Sequence, residues 1–514
     1  MGRRSQDRIS NLPDHLLQSI LSLIPLKSAV RTSILSRRWR HLWQHSLVSS
    51  ATLDFGGDFA SSQSPKDFAA TVAWYLRLHG DQKLDRLRFL FAPFDLFLPD
   101  IDTWIAAAAR KEVKELELDL SQGILSCVDG HYIDGRQPYL LPESLFRCEA
   151  LTHLSLSRCD FDDDVRFGSF GHLSSLNLSH VNVTDEMLES LLADCPLLES
   201  LSLRNCQRLD AIRILGPPRL RLRELTLVDC FNAYEVEISA PKLQSFRYFG
   251  RLFDLDEFDN ISKLVDAQIL LTTDEYDEYG FIEFISHFSK VQVLTLCSTT
   301  LTHLANEKFE GGDLQILFPN LQELQLVMES MTEEHLSSIY DFLEFCPSPF
   351  LEKLFVQLPR DVQESVDIRH LTTARQGPPD VPFNHLKVIK INNFQGSNNE
   401  MKLVKFFLDR AIALESLVLV APPMPQRFGE RNVVDSITQV KPKERMSLKI
   451  IQGQISMLPK ASQEARILLV EFLEDDNSLS PTHKQFYSRY NYLSGTVCHL
   501  MEDALFNEEI EVHN

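Results

Sequence analysis

Leu151-Thr-His-Leu-Ser-Leu156, Leu173-Ser-Ser-Leu-Asn-Leu178, Leu198-Glu-Ser-Leu-Ser-Leu203 and Leu222-Arg-Glu-Leu-Thr-Leu227 are four copies of one apolar pattern, Leu-x-x-Leu-x-Leu. The alternation inside each copy is the period of a strand, with leucines on one face and the intervening residues on the other. The middle leucines Leu154, Leu176, Leu201 and Leu225 are 22, 25 and 24 residues apart, which leaves room for one return path per strand. Outward from this block the pattern continues as Val291-Gln-Val-Leu-Thr-Leu296, Leu321-Gln-Glu-Leu-Gln-Leu326, Leu351-Glu-Lys-Leu-Phe-Val356, Leu386-Lys-Val-Ile-Lys-Ile391 and Leu414-Glu-Ser-Leu-Val-Leu419. On the other side lie Val113-Lys-Glu-Leu-Glu-Leu118 and Leu84-Asp-Arg-Leu-Arg-Phe89. Leu294, Leu324 and Leu354 are 30 residues apart, so the return paths lengthen there.

A period in this range is that of a leucine-rich repeat. Three copies extend to a cysteine, at Cys159, Cys206 and Cys230, and a small thiol at that turn is read as structural packing rather than chemistry. Between strands the period becomes helical: Thr184-Asp-Glu precedes Met187, Leu188, Leu191 and Leu192, and Cys195-Pro196 ends the run. Thr332-Glu-Glu with Leu336, Ile339 and Leu343 repeats the arrangement. The expected unit is one strand plus one helix. No unit buries its apolar face alone, so the units must stack into a curved solenoid of α/β class with its strands along one side. Residues between the strand leucines face outward there, which makes Ser155, Asn177, Ser202, Arg204, Thr226, Gln325, Phe355 and Lys390 the candidate contacts for a target.

The chain of 514 residues carries a net charge of −21, which repels a phosphate backbone and excludes nucleic acid as the expected partner. Residues 1–50 depart from the rest, with eight basic side chains against two acidic ones, and an acidic partner or plain solvation would account for that. Nine cysteines without a Cys-x-x-Cys pair, and no charged-then-apolar leader, point to reduced thiols in nucleus or cytoplasm. No run reaches the roughly 18 apolar residues of a membrane span.

Residues 7–45 read as three short helices. Pro13 suits a first turn; Leu16, Leu17, Ile20, Leu21 and Ile24 are expected to share one face; Pro25 stops the run; and Leu35, Trp39, Leu42 and Trp43 are expected to form another apolar face beside the basic one. About forty residues make a meagre core, so this much apolar surface implies burial by another chain, with a cap on the solenoid end as the alternative. Leu12-Pro13, Ile20-Leu21, Ile24-Pro25, Val30-Arg-Thr-Ser33 and Leu35-Ser-Arg-Arg-Trp-Arg40 resemble an F-box of the plant F-box/FBD/LRR-repeat family. The resemblance implies docking to the Skp-type adaptor of a Skp–cullin–F-box ubiquitin ligase, and through it to cullin, by Leu12, Pro13, Leu16, Ile20, Leu21, Ile24, Pro25, Val30, Leu35 and Trp39. It implies a protein target on the repeat face and no catalysis in this chain.

Leu141-Pro-Glu-Ser-Leu-Phe-Arg-Cys148 is similar to a repeat segment of the same proteins, and Phe383-Asn-His-Leu-Lys-Val-Ile-Lys-Ile-Asn-Asn-Phe-Gln-Gly396 with Leu408-Asp-Arg-Ala411 resembles their FBD domain. The expected organisation is an F-box at 1–48, repeats at 49–382, an FBD-like segment continuing the solenoid at 383–460 and a tail at 461–514. Residues 359–382 read as a long surface loop, Asp274-Glu-Tyr-Asp-Glu278 as an acidic tract and the C-terminus as an acidic tail. Phosphate-binding glycine motifs and nucleophile elbows are absent from the sequence, and His41 with His45 lacks a third ligand, so no cofactor and no metal is expected. Two alternatives stay open: a small-molecule receptor of hormone-like kind, and an F-box protein acting outside a working ligase.

Overall fold

The computed structural model describes residues 9, 12–24, 26–48, 50–56, 59, 63–91, 97–121, 127–128, 131–132, 138–215, 220–251, 254–259, 261–272, 281–311, 315–359, 377–422, 448–475 and 478–484. Pro25, the acidic tract 274–278, most of the loop after Pro359 and the acidic tail from residue 485 lie outside them. The chain divides into two compact units, Met1–Leu243 with Phe253–Ser262, and Gln244–Leu252 with Lys263–Asn514.

The first unit begins with helices Asp14–Leu21, Leu26–Arg31 and Trp39–Val48. Strands Thr52–Phe55, Arg86–Leu90, Glu115–Asp119, His153–Ser157, Ser175–Ser179, Ser200–Arg204 and Glu224–Val228 follow, each parallel to the one before. Register holds throughout, so Leu53, Leu87, Leu116, Leu154, Leu176, Leu201 and Leu225 stack in one row on the inner face. Each is at most 2% exposed, and burying a leucine of this kind contributes roughly 1.5–3 kcal/mol.

The return paths follow local sequence. Ser64 caps helix Pro65–His79 by accepting from the Asp67 N–H, proline occupies the first turn, and Gly80 at φ +64° ends the helix in a conformation that favours glycine. Helix Leu98–Arg110 buries Trp104 completely, and Thr184 caps helix Asp185–Asp194 as its sequence predicts. Ala211–Leu215, Glu235–Ser239 and Asp254–Asp259 instead return as strands of a second parallel sheet. Ile212 and Ile214, and Val236 and Ile238, alternate with exposed or half-exposed residues, so here the β-branched period-two pattern sets the return.

After four strands the chain turns through a left-handed residue, Arg158, His180, Asn205 and Asp229, with φ between 52° and 60°. At the next position Cys206 and Cys230 direct their thiols at the Leu178 and Leu203 carbonyls, both at 3.8 Å. These thiols pack and weakly bond the turn, as the sequence reading has them.

The second unit holds strands Ser245–Gly250, Asp266–Leu271, Val293–Cys297, Glu323–Val327, Lys353–Gln357, Val388–Asn392, Ser416–Val420 and Arg466–Val470, parallel in that order. Helices Ser298–Gly311, Glu333–Phe345 and Asn398–Arg410 provide return paths, the last two capped by Thr332 and Ser397. Glu400, 6% exposed, accepts from the Gln395 and Gly396 N–H groups at 2.8 Å each and ties the preceding loop to the helix. The FBD-like residues thus continue the same strand-and-helix unit. The last strand falls within the stretch read as tail.

Candidate functional site

The helical period divides the apolar residues of Asp14–Leu21 between two faces. Leu17 and Leu21 are 0% and 2% exposed, whereas Leu16 and Ile20 are 43% and 40% exposed. Leu35 is exposed, Pro13 is exposed, and Leu12, Ile24 and Val30 are half-buried. Leu21 and Trp39, expected to face the adaptor, are instead buried within this chain: residues one turn apart on the inner face form the segment's own core, with Trp39, Leu42 and Leu47 all buried in one helix. Four exposed apolar side chains of this segment escaped the sequence reading, Ile9, Leu23, Ile34 and Val48. Leu23 lies in the turn after the first helix and Ile34 at the end of the short 3-10 turn Thr32–Ile34, where no helical period signals direction.

The three helices are held to one another and to the first repeat. Ser46 Oγ donates to the Gln18 carbonyl at 3.1 Å, and Arg38 meets Asp14 at 2.6 Å in an exposed pair of small energetic weight. Trp43 packs against Trp74 and Tyr75 of helix Pro65–His79, with ring centroids 5.7 and 6.2 Å away. Beneath this joint His79 Nε2–H donates to the Ser50 carbonyl at 3.0 Å, leaving Nδ1 to accept from Lys111 Nζ at 3.0 Å. Burial lowers the pKa of both groups.

On the strand face of the first unit the outward row runs Asp54, Arg88, Glu117, Ser155, Asn177, Ser202 and Thr226. Its beginning is charged: Arg88 lies 2.9 Å from Glu117, and Arg86 lies 3.7 Å from both Glu115 and Glu117. Burial pushes the Glu117 carboxyl up despite those arginines. The remainder is neutral and half-exposed, with Asn177 Nδ2 donating to Ser155 Oγ and Arg204 Nε to Ser202 Oγ, both at 3.1 Å. Asn177 Oδ1 is buried without a hydrogen-bond partner among the described residues. The structure thus brings Ser155, Asn177, Ser202, Arg204 and Thr226 onto one open surface.

Gln325, Phe355 and Lys390 occupy the corresponding row of the second unit, in register with Gln268, Thr295, Val418 and Leu468. They are not open contacts: Gln325 is 0%, Phe355 5% and Lys390 2% exposed. Residues after the final strand fold back over this face. Lys390 Nζ donates to Asp475 Oδ2 at 2.6 Å and to the Leu479 carbonyl at 3.0 Å. Glu323 Oε1, which accepts from Gln325 Nε2 at 2.7 Å, also accepts the Thr482 N–H at 2.6 Å. His483 bridges Thr295 Oγ1 at 2.7 Å and Asp266 Oδ1 at 2.8 Å. Burial alone would raise the Asp266 carboxyl, but hydrogen bonds from His483 and Ser245 outweigh it and hold the group below its usual range. Strand alternation identifies outward residues and carries no signal of a distant segment covering them.

A family model for the F-box domain matches residues 9–48, and the model described as At1g61320/AtMIF1, LRR domain, matches residues 83–454. The F-box/FBD/LRR-repeat protein At1g13570 of Arabidopsis thaliana is 25% identical over 428 residues, spanning 81% of this chain and 91% of its own. F-box/LRR-repeat protein 13 of the same plant is 28% identical over 438 residues, spanning 81% and 90%. Among solved structures, the Leptospira interrogans LRR protein LIC12759 is 12% identical and covers 73% of this chain and 91% of its own length, at a TM-score of 0.27.

Proposed function

Because the chain belongs to the plant F-box/LRR-repeat family, whose members are typically non-catalytic adaptors, we propose that it is the substrate-recognition subunit of a Skp–cullin–F-box ubiquitin ligase. Its F-box docks to the Skp-type adaptor and its strand faces select a protein target. The observation that carries this reading is the outer surface of the F-box. Leu16, Ile20, Leu23, Ile34 and Leu35 are between 40% and 85% exposed in a segment of three short helices whose inner residues are already buried. Five exposed apolar side chains within one short segment favour burial by a partner. Catalysis is then a matter of proximity: the chain holds a target near the ubiquitin-carrying enzyme at the cullin's far end. The cysteines among the described residues, buried or, at Cys230, half-buried and all free, fit a reducing compartment, nucleus or cytoplasm.

The test is co-purification of the tagged full-length chain with a Skp-type adaptor and cullin, beside the Leu16→Asp/Ile20→Asp variant. Both positions already face solvent, so the variant should melt with the parent while recovering neither partner. Equal recovery by parent and variant would refute the docking surface.

A further inference from the structure

Asp475, Leu479, Thr482 and His483 make contacts on the second unit that differ in kind from those of an end cap. They follow the last strand Arg466–Val470 and touch side chains on strands two to six places from it in the sheet, those of Lys390, Glu323, Thr295 and Asp266. An end cap needs apolar cover; these groups are charged or polar and sit at outward positions. Burying Lys390 at 2% exposure and Glu323 at 4% is strongly unfavourable unless each is paired. The face therefore requires a specific chemistry from whatever covers it: a carboxylate and a carbonyl at Lys390, a backbone N–H at Glu323, and an imidazole between Thr295 and Asp266. Asp475, Leu479, Thr482 and His483 supply that set in order, with Pro481 buried between them. The resident segment is an incomplete match, since Gln325 Oε1 is buried without a hydrogen-bond partner among the described residues.

We propose that this face is a binding site for an extended peptide segment of a target protein, one that carries a carboxylate and, beginning about six residues on, a Pro-Thr-His-like triplet, and that Asp475 and residues 479–483 occupy it as an intramolecular stand-in. The proposal deepens the target-recognition part of the function proposed above. A target segment must displace a tethered competitor, whose effective concentration is on the order of millimolar. For an intrinsic Kd near 10 μM that competition weakens apparent affinity about a hundredfold. The target site is thus closed by default and opens to a sufficiently good match.

The experiment titrates the full-length chain, with no adaptor present, into a labelled peptide spelled from residues 471–484, Glu-Phe-Leu-Glu-Asp-Asp-Asn-Ser-Leu-Ser-Pro-Thr-His-Lys, and reads fluorescence anisotropy. The Asp475→Ala/His483→Ala chain should bind it at least tenfold more tightly than the parent, and adding Glu323→Ala to that variant should abolish the gain. Equal affinity for parent and double variant, or a gain that survives Glu323→Ala, overturns the proposal. Should the double variant fail to fold, hydrogen exchange on the parent decides. Excess unlabelled peptide at millimolar concentration should speed exchange of the Thr482 amide at least threefold, and an unchanged rate overturns the proposal. Failure here leaves adaptor docking untouched, and failure of adaptor recovery leaves this binding untouched.

Discussion

Trp43 joins the F-box helices to the first repeat, and its removal is a quantitative test of that joint. The indole is 8% exposed, packs on Trp74 and Tyr75, and donates through Nε1–H to the Arg40 carbonyl at 3.0 Å. Trp43→Ala removes roughly 150–250 Å² of buried aromatic surface, about 4–6 kcal/mol by area, and truncations of buried tryptophan cost about 3–5 kcal/mol. Taking about 4 kcal/mol, local opening of helix Trp39–Val48 should become roughly a thousandfold more frequent, since 1.4 kcal/mol corresponds to a factor of ten. Native-state amide exchange of this helix reads that opening directly. Trp43→Phe keeps a ring in the site and loses mainly the hydrogen bond and some contact, about 1–1.5 kcal/mol, so its exchange should rise about tenfold. An increase below tenfold in the alanine variant would refute the claim that this ring holds the joint.

Gly396 sits at φ +75° with an added Cβ placed 2.9 Å from the Ile451 side chain; Gly396→Ala should cost about 2 kcal/mol and lower the melting temperature by about 4–8 °C, and an unchanged melt would show the loop to be adaptable. Cys148 and Cys195 are pushed up by burial from 9.0 to about 12, so at pH 8 each carries about a thousandth of the thiolate of an open thiol. Native alkylation at these sites should be slower by a similar factor, and rapid labelling would contradict their burial. Burial holds His79 and His335 below the ordinary 6.5, so the unfolded chain takes up protons that the folded chain refuses. Their contribution to stability is present above about 6.5 and is lost as pH falls below it. The melting temperature should drop between about pH 7.5 and 5.5, with a shallower slope in His335→Gln; an identical slope would remove that histidine from the account.

The strand positions, their register and the helix caps at Thr184 and Thr332 were legible because period-two leucines and capping residues are local signals. Return strands such as Ala211–Leu215 carry their own alternation, Ile212 and Ile214 against Arg213, but the helices elsewhere set a different expectation. In the F-box most of the apolar residues were identified and their direction was not, because Leu16 and Leu17 are adjacent in sequence and only packing decides which turns inward. The covered face was not legible at all. His483 and Asp266 are 217 positions apart, and no short-range pattern encodes a contact at that separation.

The unbroken register has a consequence for how such a chain can change over generations. Where Leu154 stacks on Leu176 and Leu176 on Leu201, every strand offers its neighbours nearly the same donor, acceptor and methyl positions. Excising one whole period between equivalent residues, Leu154 to Leu176 for example, rejoins edges that already fit, whereas losing half a period would turn leucines to water. Duplication and loss should therefore proceed in integral repeats within such a run. The cost of each is the one set of outward residues it adds or removes, so the recognition surface can be edited in modules while the hydrophobic spine is conserved.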